Sequence, residues 1–136
     1  MSDTFEVVAA AGSLRSSDPA ATRLPHRWTD GGVTVSTAFT GAHLLHLSVA
    51  ACVLNDLYRE ATAAGVELEG VRVTADGGFD ADGGASTGIR YAVEVESPAD
   101  PAAVDRLVAR VDEVAEIPRA VRAGAPVHRR SEPPHL

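Results

Sequence analysis

Leu44-Leu45-His46-Leu47-Ser48-Val49-Ala50-Ala51-Cys52-Val53-Leu54-Asn55-Asp56-Leu57 lies inside the strongest helical pattern of the sequence, Gly41 to Ala64. Leu44, Leu45, Leu47, Val49, Ala50, Ala51, Val53, Leu54 and Leu57 run almost all the way round a helical wheel. A helix that is apolar on every side is normally buried on every side. In a chain of 136 residues, that calls for a sheet on one face and a second subunit on another. His46, Ser48, Asn55 and Asp56 break the run, which falls short of the roughly eighteen apolar residues of a spanning helix. No membrane partner is expected.

The segments around the helix read mainly as strands. Phe5 to Ala11 forms a first strand, followed by the turn-rich loop Gly12 to Pro19. Leu24 to Trp28 suits a short second strand, with Thr29-Asp30-Gly31-Gly32 turning into a third from Val33 to Phe39. Beyond Gly65, Val66 to Phe79 and Gly88 to Glu96 read as an antiparallel pair with one wet face. In the later strand Ile89, Tyr91, Val93 and Val95 alternate with charged neighbours. Asp100 and Pro101 open a second helix as N-cap and first-turn residue, with the stripe Val104, Leu107, Val108, Val111 and Val114. A short helical stretch after Ile117-Pro118 reaches Ala123, and a last strand is expected around Val127. The end, from about 128 to 136, has no periodicity and reads as a mobile tail. The fold class is α+β, a single domain over residues 1–136.

Composition narrows the classes of function. Apolar residues make up 45% of the chain and aromatics 4%, so valine, leucine, isoleucine and alanine must build the core. The net charge of −7 is spread along the chain and argues against a nucleic-acid or anionic-membrane partner. The start, Met1 to Glu6, lacks the basic and apolar regions of a signal peptide. The lone Cys52 has no internal disulfide partner, so nothing calls for an oxidising compartment and a cytoplasmic location is expected.

Few residues could carry chemistry. Cys52 sits mid-helix on a face with Leu45, Ser48, Val49, Asp56 and Arg59. A free cysteine commonly acts as a small hydrophobe, and reactivity needs a thiolate stabilised by a nearby cation. His43 and His46, three apart, could point to one side of the helix start, well away from Cys52. No further ligands complete a metal site around them. Arg15, after the first strand, is the best candidate cation to reach a buried thiol, with Arg23, His26 and Arg27 as competitors. No phosphate-cradling loop, nucleophile elbow or zinc-protease motif is present. Neither a cofactor nor a metal is expected.

Two stretches resemble the family of osmotically induced protein C and organic hydroperoxide resistance proteins (OsmC/Ohr). Leu44 to Cys52 is similar to that family's buried central helix, in which a Pro-Glu pair, leucine and small residues lead to Ala-Cys. Ala115-Glu116-Ile117-Pro118-Arg119-Ala120-Val121-Arg122-Ala123-Gly124-Ala125-Pro126-Val127 is similar to its Cys-Pro-x-Ser segment, which ends in Gly-x-Pro-Val. The likeness covers nearly the whole chain, more loosely at the N-terminus.

The resemblance implies an OsmC-like fold, with antiparallel sheets enclosing a long buried central helix in an intertwined homodimer. It also implies reduction of organic hydroperoxides by a reactive cysteine. That cysteine becomes a sulfenic acid, and a second one closes a disulfide that an external dithiol reduces. An arginine and a glutamate beside the thiol lower its pKa and position the substrate. Cys52 matches the reactive cysteine, and Arg15 matches the arginine through Gly12-Ser13-Leu14-Arg15. Ala115 stands where the second cysteine belongs, and Ala42, followed by His43, where the glutamate belongs. The expected function is a single-cysteine peroxidase acting on a small apolar hydroperoxide with an external thiol reductant. The alternatives are a repurposed enzyme using Cys52, His43 or His46 in the dimer pocket, and a non-catalytic protein that binds a small ligand.

Overall fold

The computed structural model describes residues 4–130. Strands β1 (Val7–Gly12), β2 (Thr22–Leu24) and β3 (Val33–Ser36) precede helix α1 (Gly41–Ala64). Strands β4 (Gly70–Phe79) and β5 (Ser86–Glu96) follow it, and helices α2 (Pro101–Val114) and α3 (Glu116–Ala123) close the sequence of elements. The strands form one antiparallel sheet in the order β2-β3-β1-β4-β5.

Alternation puts one side chain in two on the inner face. Val7, Ala9 and Ala11 of β1 stand opposite Ala75, Val73 and Val71 of β4, which in turn face Tyr91, Val93 and Val95 of β5. Across this floor lies α1, with Ala50, Val53, Leu57 and Ala61 buried against it. Leu107 and Val111 of α2 and the buried Ala115 complete the core. The outer face carries charge, and its cross-strand neighbours pair: Arg72 with Glu94 at 2.9 Å and Arg90 with Asp76 at 3.0 Å.

Thr40 caps α1 by accepting the backbone N–H of His43, and Gly65 closes it in the left-handed region at φ 71°. No helix among the described residues is long and apolar enough to cross a membrane.

The helices fall close to where the sequence places them; the strands need correction. β1 starts two residues after Phe5, whose φ of 49° departs from extended backbone. β2 lies at Thr22–Leu24 rather than Leu24 to Trp28, because Pro25 has no N–H to continue the ladder. β4 begins at Gly70, after Val66 to Glu69 cross the sheet end as a loop. α3 starts at Glu116 and takes Pro118 into its first turn, where a missing N–H is tolerated. No strand forms around Val127, which is 93% exposed. Residues 131–136 of the expected tail lie outside the described residues. Burial of α1 on every side is not reached within one chain, since Leu44, Leu45, Leu47, Ser48, Ala51 and Cys52 stay half-buried.

Leu57 is fully enclosed between sheet and helices. Leu57→Ala should lower the unfolding free energy by about 3 kcal/mol in urea denaturation, the usual cost of a large-to-small core cavity.

Candidate active site

Rotation of α1 decides what surrounds Cys52. Once Val53 and Leu57 face the sheet, Cys52, Asp56 and Arg59 form a stripe along one flank, spaced four and three residues apart. α3 begins beside that flank. The Cys52 thiol lies 3.8 Å from Oδ2 of Asp56 and 3.9 Å from Oε2 of Glu116, to either of which it can donate. Arg59 ties the carboxylates together, at 3.3 Å from Oδ2 of Asp56 and 3.3 Å from Oε1 of Glu116. It also meets Glu60 at 3.6 Å.

This environment holds the thiol protonated. Burial pushes the Cys52 pKa up, the charges of Asp56 and Glu116 push it further, and the backbone amides of Ile117 and Glu116 at the start of α3 oppose them. Burial likewise raises the Asp56 carboxyl, against the pull of Arg59. Cys52 is therefore a resting thiol beside a buried carboxylate with an elevated proton affinity. The pair can exchange a proton directly.

Val49, one turn before Cys52, and Pro118, two residues after Glu116, line a cavity of about 230 Å³ with Ile89, Tyr91 and Val121. Its walls are largely apolar and it lies between α1, β5 and α3, with Val49 and Pro118 as its links to the chain segments that carry Cys52 and Glu116, neither of which lines it. A larger, open groove of about 800 Å³ between β5 and α2 contains neither a thiol nor an imidazole.

The histidines occupy the opposite side of the helix. His43 sits at the helix start with Nδ1 2.6 Å from the Thr40 hydroxyl. His46 is fully buried and its Nδ1 donates to the Ala42 carbonyl at 2.6 Å. Its Nε2 has no partner among the described residues and lies against Gly77, where a Cβ would stand 2.6 Å from it. Phe5 and Phe79 enclose that ring. Arg15 packs its guanidinium over Gly31, and the group on which its charge acts is Tyr58. Within the chain, Cys52 is thus brought to Asp56, Glu116 and Arg59 and not to Arg15, His43 or His46. Asp56 and Arg59 were visible on its helical face. Glu116, 64 positions away, was visible only as the residue after the missing second cysteine.

Alkylation of Cys52 by iodoacetamide should be slow at pH 7 and rise through pH 9 without a plateau, since the thiolate forms only above the ordinary cysteine range. Glu116→Gln, which removes one repelling charge, should speed alkylation several-fold at pH 7.5. An unchanged rate in that variant would show that Glu116 does not act on the thiol.

Comparisons with known proteins agree with this architecture. The family model described as OsmC-like protein matches residues 33–129. A crystal structure of an OsmC-like protein from Mycoplasma pneumoniae superposes with a TM-score of 0.55 at 15% identity, covering 75% of this chain and 85% of the other. An OsmC-like hydroperoxide resistance protein from Jannaschia sp. CCS1 gives a TM-score of 0.51 at 14% identity and covers 94% of each chain. No curated protein matches the chain. With the family model spanning well over half of the sequence and both structures sharing its architecture, the chain belongs to the OsmC-like protein family.

Proposed function

We propose that the protein is a thiol-dependent peroxidase that reduces small organic hydroperoxides through Cys52 alone. The observation that carries this reading is the contact of the Cys52 thiol with Asp56 and Glu116 while Arg59 bridges both carboxylates. The family's machinery is a cysteine, a glutamate and an arginine. Here Glu116 and Arg59 stand beside the thiol from positions different from those the resemblance assigns, and they serve to position the substrate, since Glu116 raises the thiol pKa instead of lowering it.

Sulfur attacks the terminal oxygen of the hydroperoxide and the O–O bond breaks. The thiol proton passes to Asp56, which returns it to the departing alkoxide as an alcohol; Cys52 is left as a sulfenic acid. Arg59 and Glu116 hold the peroxide oxygens in line, and the cavity beside Val49 and Pro118 takes the alkyl or aryl group. Because Ala115 replaces the second cysteine, an external thiol attacks the sulfenic sulfur and releases water. A second thiol then frees Cys52 from the mixed disulfide. A cytoplasmic setting, where small thiols are abundant, suits this cycle. A second copy covers the half-buried Leu44, Leu45 and Ser48 flank of α1 in a homodimer.

One equivalent of cumene hydroperoxide plus a small thiol should convert the reduced protein rapidly to a mixed disulfide by intact mass. Cys52→Ser should show no change, and Arg59→Ala should slow the reaction about 10-fold or more, as loss of a charged transition-state contact does. An unmodified wild-type mass would overturn the reading.

A further inference from the structure

The two edges of the sheet are unlike. β2 closes one edge with 3 residues, and Pro25 follows it with no N–H to offer a neighbouring strand. β5 closes the other with 11 residues, Ser86–Glu96, and carries neither proline nor lysine. On its outer side β5 has no strand partner among the described residues. A long edge strand without such guards presents a row of unpaired N–H and C=O groups and is a template for pairing with another chain.

The order of side chains along β5 indicates what that chain is. Ile89, Tyr91, Val93 and Val95 are half-buried on the inner face, beside the open groove between β5 and α2. Arg90, Ala92 and Glu94 are exposed on the outer face. Turned antiparallel onto a second β5 about Ala92, the strand is complementary to itself. Arg90 then stands opposite Glu94 of the second copy, and Glu94 opposite its Arg90. On the inner face Tyr91 meets Val93 and Ile89 meets Val95, and such aromatic and opposite-charge cross-strand pairs are the favourable ones. Centring on Arg90 or on Glu94 sets like charges face to face, and centring on Tyr91 or Val93 leaves Glu94 opposite Gly88 or Ala92. The neighbouring strand extends the match. Within the chain Glu94 stands opposite Arg72 of β4, and Arg90 opposite Asp76. Across the joined edges a row reads Arg72, Glu94, Arg90, Asp76, with the sign alternating at every step. The side chains of Arg90 and Glu94 are 79% and 62% exposed, which leaves each open to a second partner.

We propose that β5 pairs antiparallel with β5 of a second copy of this chain about Ala92, joining two sheets into one continuous sheet. A self-complementary patch that meets itself makes an isologous two-fold contact, the commonest kind in homo-oligomers. The contact is separate from the α1 flank assigned to a partner above. It is also independent of the peroxidase reading, since it uses none of Cys52, Asp56, Arg59 or Glu116.

Sedimentation of complementary charge variants of the full chain tests the proposal. Arg90→Glu and Glu94→Arg each set like charges opposite one another and should weaken the β5 contact about tenfold or more, halving the mass of the assembly. That halving is expected whether or not the α1 contact forms as well, so failure of the α1 contact does not imitate failure of this one. Mixed in equal amounts, the two variants should regain the wild-type mass, because one strand is then acidic at both positions and the other basic at both. In a Cys52→Ser background, Ala92→Cys should cross-link two chains rapidly under diamide, while Thr87→Cys, near the end of the same strand, should not. A monomeric wild type, charge variants that keep the wild-type mass, a mixture that stays at the lower mass, or cross-linking no faster at position 92 than at 87 would each overturn it.

Discussion

The seating of α1 on the sheet is the constraint from which the rest of the molecule follows. Ala50, Val53, Leu57 and Ala61 are buried together at spacings of three and four residues, and their burial fixes the rotation of the helix. Burying a side chain of this kind contributes roughly 1.5–3 kcal/mol, so turning the helix to expose that stripe is far costlier than any gain from its polar flank. With the rotation fixed, Cys52, Asp56 and Arg59 come to one edge and the histidines to the other. The inner ladder from Val35 through Ala9 and Val73 to Val93 supplies the flat apolar surface that makes this seating possible.

Much of this was legible in the sequence. The period of the apolar residues in α1, the N-cap Asp100 with Pro101, and the alternation in β5 each have one physical reading, and the structure follows them. The failures are local. Pro25 ends β2 at the start of the stretch read as a strand, Leu24 to Trp28, and the apolar Val127 has no ladder to join within the described residues. The α1 face bearing Leu44, Leu45 and Ser48 had a pattern calling for burial that a single chain does not provide.

The candidate site was half legible. Cys52 and its helical neighbours Asp56 and Arg59 follow from spacing alone. Glu116 does not, because its approach depends on where α2 ends and α3 begins, a tertiary property set by the burial of Ala115 and Pro118. Arg15 shows the reverse. A matching local motif placed it as a partner of the thiol, whereas the packing of its guanidinium against Gly31 directs its charge to Tyr58. Sequence distance hides such choices, since the loop after β1 can deliver its arginine to either side of α1.

What distinguishes this thiol is that burial, together with the charges of Asp56 and Glu116, raises its pKa, so the proposed peroxidase chemistry relies on a carboxylate proton acceptor in place of a pre-formed thiolate. Two reactions of Cys52 in Asp56→Asn at pH 7.5 test that claim most directly: alkylation by iodoacetamide, which needs only thiolate, and oxidation by cumene hydroperoxide, which also needs a proton delivered to the leaving alkoxide. The account predicts that the substitution speeds the first and slows the second. Rates that move in the same direction would contradict it, and would leave Asp56 as a charge that merely tunes the thiol.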